Sequence, residues 1–157
     1  MRKILVIGIG AGNPEHMTVQ AVGALNRADV LLIPTKGDEK AYLAAARREI
    51  CDRFLTNPRC RVLDYAVPVR RADGSYEDGV NDWHRAIAAI YERTLLNEVG
   101  EDETLGLLVW GDPMLYDSTL RIIEHVRTTG RVAFQTEVIP GITSVQALCA
   151  GHGIALN

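Results

Sequence analysis

The sequence has too few cysteines for a disulfide framework. Cys51, Cys60 and Cys149 are odd in number, widely spaced and form no zinc-ligand pattern. They suit a reducing compartment, so a cytoplasmic location is expected. No run approaches the ~20 apolar residues of a membrane span. The apolar stretch at residues 4–9 is interrupted by Gly8 and followed by Gly10 and Gly12, which leaves it too short for a signal peptide. Basic charge is not in excess either. The 17 Lys and Arg against 20 Asp and Glu leave a net charge of −3, which gives a nucleic-acid partner no compositional support. Internal repeats and low-complexity tracts are absent. What is present is 157 residues, 47% of them hydrophobic, enough for one domain with a real core.

Continuous apolar runs mark strands buried on both faces. Residues 3–9 form the first, ended by the turn Gly10-Ala11-Gly12-Asn13-Pro14. A helix capped by Thr18 follows, then a second strand over 29–33 stopped by Pro34. A helix from about Glu39 to Phe54 shows Leu43, Ala46, Ile50 and Phe54 on one face. A third strand spans 61–67, and residues 68–79 read as a long polar loop. A helix from about Val80 to Val99 and a fourth strand from Glu103 to Trp110 come next. Gly111-Asp112-Pro113 then breaks the chain into a turn, and Asp117 or Ser118 caps a helix beginning near Thr119. A fifth strand over 132–139 halts at Pro140-Gly141, and Thr143-Ser144-Val145-Gln146 has the spacing of a capping box. Five βα units predict an α/β fold, a five-stranded mostly parallel sheet with helices on both faces. The residues from His152 to Leu156 read as the start of further structure, as in a domain from a longer protein.

The turn after the fourth strand lies at the carboxyl edge of such a sheet, where open α/β folds bind ligands. Asp112 is either a ligand-contacting carboxylate or a turn residue bonding its own backbone, and Tyr116 either faces a ligand or packs under the loop. Thr143 and Ser144 are helix caps whose backbone N–H groups also face outward. Arg70, Arg71, Lys36 and Lys40 could line one rim and attract carboxylates, or be plain solvated surface. Trp83 falls on an apolar helix face, and His84 beside it is a structural, surface or acid–base histidine. The remaining histidines show no metal spacing, and no Ser-His-Asp or Cys-His arrangement can be assembled. A dinucleotide site fits poorly. Asn13 stands where G-x-G-x-x-G needs glycine, and Ile33-Pro34-Thr35-Lys36 offers no acid to a ribose.

Three segments together resemble the tetrapyrrole methylases: Gly8-Ile9-Gly10-Ala11-Gly12-Asn13-Pro14 with Thr18, Gly111-Asp112-Pro113-Met114-Leu115-Tyr116, and Ile139-Pro140-Gly141-Ile142-Thr143-Ser144. Ala11 stands where many members have proline, and Trp110 where many have a second glycine. Within the family, Pro34-Thr35-Lys36-Gly37, Trp83-His84 and residues 111–119 look most like the branch serving aerobic cobalamin synthesis. The resemblance implies two α/β domains with S-adenosylmethionine folded between them, residues 1–157 being the amino-terminal one. It implies that Gly111, Asp112, Leu115 and Tyr116 wrap the cofactor, that Thr143 and Ser144 hold it from another side, and that Ala11 and Trp110 lie nearby. The reaction implied is methylation of carbon 1 of precorrin-5 with loss of acetate. Asp112, Tyr116 and His84 are then candidates for the base, Lys36, Arg70 and Arg71 for substrate binding, and no metal is expected. The expected partner is the tetrapyrrole, with no nucleic acid and no membrane, and a homodimer stays open. A sibling methylase with another target, a dinucleotide oxidoreductase and a non-enzymatic binding module are the rival readings.

Overall fold

The computed structural model describes residues 1–35, 37 and 41–157. Strands and helices alternate as β1 (Arg2–Gly8), α1 (Val19–Arg27), β2 (Val30–Thr35), α2 (Ala41–Phe54), β3 (Arg61–Ala66), α3 (Tyr76–Asn97), β4 (Thr104–Val109), α4 (Thr119–Thr129), β5 (Phe134–Ile139) and α5 (Ser144–His152). The sheet order is β3-β2-β4-β1-β5 and every pair is parallel. The sheet expected to be mostly parallel is wholly so.

The apolar run of β1 has the burial that its composition demands. Ile4, Leu5, Val6 and Ile7 are all 0% exposed, because side chains of alternate sign along the strand each meet a helix layer. Leu5, Ile7, Leu31 and Ile33 pack on Ala21 and Leu25 of α1 and Ile50 of α2. Ile4, Val6, Leu105 and Leu107 pack on Ile87, Tyr91 and Leu95 of α3 and on Ile122 and Val126 of α4. Each fully buried Leu or Ile contributes about 1.5–3 kcal/mol. α5 has no buried residue.

This layering positions the site. β1 and β2 feed helices on one face of the sheet, while β3 and β4 feed helices on the other. The order interleaves them, so the connections leaving β2 and β4 part to opposite faces, as do those leaving β4 and β1 and those leaving β3 and β2. Parting connections open a crevice at the carboxyl ends of the strands.

Several boundaries differ from the sequence expectation for local reasons. β2 continues through Pro34 to Thr35. Its pairing with β4 ends at Leu32↔Leu107 while pairing with β3 runs on to Thr35↔Ala66. Pro34 therefore sits on a one-sided edge, where its missing donor is tolerated. α3 begins at Tyr76 rather than Val80, because Ser75 Oγ accepts the Asp78 N–H at 3.1 Å and caps it. Gly79, read as the end of a loop, is inside the helix, and a Cβ there would lie 2.9 Å from the Arg71 carbonyl oxygen. Asp117, not Ser118, caps α4: its Oδ1 accepts the Thr119 N–H at 2.6 Å, and Ser118 makes no side-chain cap bond. The capping box at Thr143 and Gln146 forms in full. The start expected for α2 at Glu39 lies outside the described residues. Among the described residues no helix is long and apolar enough to cross a membrane.

Candidate functional site

The crevice between β1 and β4 is filled with main chain. Beyond the last β1–β4 pair, Gly8↔Val109, the chains stay together. Ile9 N–H donates to Val109 O at 2.9 Å, Gly111 N–H to Gly10 O at 2.8 Å and Gly10 N–H to Gly111 O at 3.3 Å. The end of β5 closes on the same point. A Cβ on Gly141 would stand 2.1 Å from Gly111 O, and one on Gly8 would stand 2.7 Å from Gly141 N. Three strand ends thus meet at a separation that only glycine permits.

Asp112 locks this junction. Its Oδ2 accepts the Gly141 N–H at 2.9 Å and its Oδ1 accepts the Met114 N–H at 2.8 Å. The carboxylate that could equally have been a ligand group is bonded on both oxygens to backbone, which gives it the turn-bracing role. Gly111 has φ +63, and a Cβ on it would sit 3.6 Å from Thr143 Cα and 3.9 Å from Ser144 N. The β4 turn therefore lies against the first turn of α5, where the Thr143 side chain accepts the Gln146 N–H at 3.1 Å. From this junction Met114, Leu115 and Tyr116 project into solvent, 71%, 42% and 93% exposed. Tyr116 holds a left-handed φ of 56, a conformation costing a non-glycine residue about 1–2 kcal/mol. Ala11, one residue past the Gly10–Gly111 bridge, is exposed at the same edge.

The second crevice, between β2 and β4, stays open. Just past Leu32↔Leu107 the Leu108 carbonyl takes a side-chain donor in place of a strand: Arg47 Nε donates to Leu108 O at 3.1 Å. A second bond runs from Arg47 Nη1 to Leu43 O at 3.3 Å, and the guanidinium lies 5.0 Å from the Trp110 ring centroid. Arg47 is only 8% exposed. Burial pulls its pKa down, opposed by the charges of Tyr65, Tyr91 and Asp117. Above it is a cavity of about 220 Å³, walled by Tyr65, Trp83, Tyr91, Trp110 and Asp117. The indole Nε1 of Trp110 is buried and has no hydrogen-bond partner among the described residues.

The structure thus gathers Ala11, Gly111, Asp112, Leu115, Tyr116, Thr143 and Ser144 at one edge, with Trp110 joining that edge to the cavity. It does not gather His84. That ring is 5% exposed between α3 and α4, 5.6 Å from Trp83 and 6.3 Å from His125. Burial lowers its pKa first, with His125 and Arg121 adding to the effect. Arg70 and Arg71 are exposed on the β3–α3 loop, where the Arg70 guanidinium lies 4.9 Å from the Tyr76 ring centroid. Trp83, expected on an apolar helix face, is half-buried and its Nε1 donates to Pro68 O at 2.8 Å, holding that loop. Lys36 and Lys40 lie outside the described residues. Among the described residues no group of three or more His, Cys, Asp or Glu is placed to hold a metal ion. Arg47 is the residue that reading the sequence missed. Its signal was a lone cation at helical spacing between Leu43, Ile50 and Phe54, on the face that packs inward.

A family model described as Tetrapyrrole (Corrin/Porphyrin) Methylases matches residues 3–157. The chain is 63% identical over 158 residues to a precorrin-6A synthase (deacetylating) of Sinorhizobium sp., covering 100% of this chain and 60% of that protein. It is 33% identical to a precorrin-2 C(20)-methyltransferase of Sinorhizobium sp., covering 98% of this chain and 59% of that one. Among solved structures, a cobalamin synthesis related protein (CobF) from Corynebacterium diphtheriae superposes with a TM-score of 0.78 at 39% identity, over 100% of this chain and 60% of that one. The chain spans about three fifths of the length of these relatives. With a family match over nearly all its residues, the chain belongs to the tetrapyrrole (corrin/porphyrin) methylases.

Proposed function

We propose that this chain is the amino-terminal α/β domain of an S-adenosylmethionine-dependent C-methyltransferase of cobalamin synthesis, which methylates carbon 1 of precorrin-5 with loss of acetate to give precorrin-6A. A second α/β domain completes the cleft in this reading. Its support is the 63% identity to a precorrin-6A synthase (deacetylating) together with the junction at Asp112 and Gly141. That junction brings the turns after β4 and β5 side by side, as a shared cofactor wall requires.

The residues present fit the cofactor. It carries no phosphate to be cradled, and this edge offers none of the acidic ribose grip or glycine pattern of a dinucleotide site. Instead Gly111 brings the β4 turn within van der Waals reach of the first turn of α5, since a Cβ there would touch Thr143 Cα at 3.6 Å, and the two turns form one continuous wall. Leu115 and Tyr116 present apolar surface beside it. When bound, the cofactor supplies an electrophilic methyl on a sulfonium. Gly111, Asp112, Leu115 and Tyr116 wrap it from one side and Thr143 and Ser144 from another, with Ala11 and Trp110 nearby. Methyl transfer to carbon rests chiefly on in-line placement, and the departing thioether is neutral and needs no acid.

Loss of the acetyl unit as acetate consumes one water, whose oxygen joins the acetyl carbon as the bond to the macrocycle breaks, and a base or hydrogen-bonding group is needed to activate it. Asp112 has both oxygens on backbone N–H groups and His84 is enclosed beside His125, so Tyr116, 93% exposed, is the candidate left facing a substrate. Arg70 and Arg71 reach solvent from their loop and suit the substrate's carboxylates through charge-assisted bonds. The test is incubation of the complete protein with S-adenosylmethionine and precorrin-5, read by mass spectrometry. One methyl gained and one acetyl lost is expected. Turnover of a different precorrin, or calorimetric binding of a dinucleotide in place of S-adenosylmethionine, would overturn the assignment.

A further inference from the structure

We propose that the cavity between β2 and β4 is a carboxylate-binding subsite, with Arg47 as the residue that receives the anion. This deepens the reading above and rests on it for the source of the carboxylate. That source is either an acid side arm of the tetrapyrrole or the free acetate that a deacetylating reaction releases.

Arg47 comes from α2 and reaches the open crevice where β2 and β4 cease to pair. A guanidinium carries five N–H donors. Two of its bonds go to the carbonyls of Leu108 and Leu43. Its other donors have no acceptor among the described residues, although the residue is 8% exposed. No nitrogen of Arg47 is both fully buried and unpartnered, so the spare donors face accessible space and can take up an entering acceptor. The adjoining Trp110 Nε1 is sealed from the cavity and has no partner among the described residues. The donors facing the cavity are therefore those of Arg47. Among the described residues the one acidic side chain lining it is Asp117, whose Oδ1 accepts the Thr119 N–H at 2.6 Å and whose charge acts on Arg47.

The planar fork of Arg47 matches the two oxygens of a carboxylate. Tyr65, Trp83 and Tyr91 supply apolar walls for the short carbon chain behind it. About 220 Å³ admits a small acid or the tip of a side arm, and not a whole macrocycle. The cavity opens beside Trp110, one residue before Gly111, so an anion held there is adjacent to the proposed methyl-transfer edge. Arg70 and Arg71 are exposed, whereas Arg47 is buried before any ligand arrives. Its contribution is accordingly greater per bond, because solvent screens it less.

The test uses the complete protein in three forms: native, Arg47→Met, and Val67→Phe, which narrows the cavity while leaving Arg47 in place. Folding is checked by thermal melting, and binding is read with ¹³C-acetate by NMR line broadening and with uroporphyrin by tryptophan quenching. If a side arm is the ligand, uroporphyrin affinity falls about tenfold or more in Arg47→Met. If acetate is the ligand, the native protein broadens the acetate line and Arg47→Met does not, with uroporphyrin affinity unchanged. Either result supports the subsite. Folded Arg47→Met that keeps native affinity for both probes overturns it. If Arg47→Met does not fold, Val67→Phe decides alone, and retention of both affinities there overturns it equally. S-adenosylmethionine affinity is measured in parallel. Its absence in the native protein would refute the proposed methyltransferase while leaving the carboxylate result intact.

Discussion

Asp112 and Gly141 are 29 residues apart in sequence, and a single hydrogen bond of 2.9 Å from the Gly141 N–H to Asp112 Oδ2 ties the turns that follow β4 and β5. Asp112→Ala removes this bond and the one to Met114. Hydrogen bonds to a charged group contribute about 1.5–3 kcal/mol where buried. Because the carboxylate is half-exposed, a total loss of about 1–3 kcal/mol is expected in urea unfolding. Loss of S-adenosylmethionine affinity by calorimetry should be larger than that loss of stability. Asp112→Asn, which keeps one acceptor, should fall between native and alanine variants in both measurements.

The glycines of the junction should rank by space and not only by dihedral angle. Gly141→Ala would place a methyl 2.1 Å from a backbone carbonyl oxygen that has nowhere to go. It should cost more than the about 1–3 kcal/mol of ordinary overpacking. Gly111→Ala meets nothing closer than 3.6 Å and carries only the left-handed penalty of about 1–2 kcal/mol. Thermal melts of the two variants should separate clearly, with Gly141→Ala the lower.

Tyr116 should show stability and binding moving apart. Asparagine adopts a left-handed backbone more readily than tyrosine. Tyr116→Asn should therefore leave the melting temperature unchanged or raise it by up to about 1 kcal/mol of stability, since the ring is 93% exposed and packs on little. S-adenosylmethionine affinity should fall. A variant that loses stability in step with affinity would place the ring in the fold and not at the ligand.

Acid should weaken this fold through His84. Its folded pKa lies below its ordinary value because burial, then His125 and Arg121, disfavour the cation. The unfolded chain therefore binds the proton first. The stability carried by the neutral ring is complete above about pH 6.5 and is lost as pH falls below that value through the folded pKa. Melting temperatures at pH 7.5 and 5.5 should differ more for the native protein than for His84→Gln.

The sheet was legible because burial on both faces leaves an unambiguous composition. The β1 run from Ile4 to Ile7 admits few other readings. Pro34 misled because a strand's end is marked by proline only where both neighbours need its donor, and β2 has lost one neighbour there. Ser75 was passed over because Gly79, a residue that usually ends structure, followed it. The edge holding Gly111 and Thr143 could be expected from turn chemistry. Arg47 could not be placed in a cavity, because what makes its position unusual is the separation of β2 from β4, which no local pattern encodes.

The Gly10–Gly111 bridge has a consequence for how such a fold changes over time. A floor made of peptide units keeps its outline whatever side chains drift around it, so on the proposed reading the cofactor wall persists while the neighbouring pocket is rebuilt for a new acceptor. A one-residue insertion in any of the three converging segments would shift all of them together. Tolerance here is thus wide for substitutions that spare the glycines and narrow for changes of length.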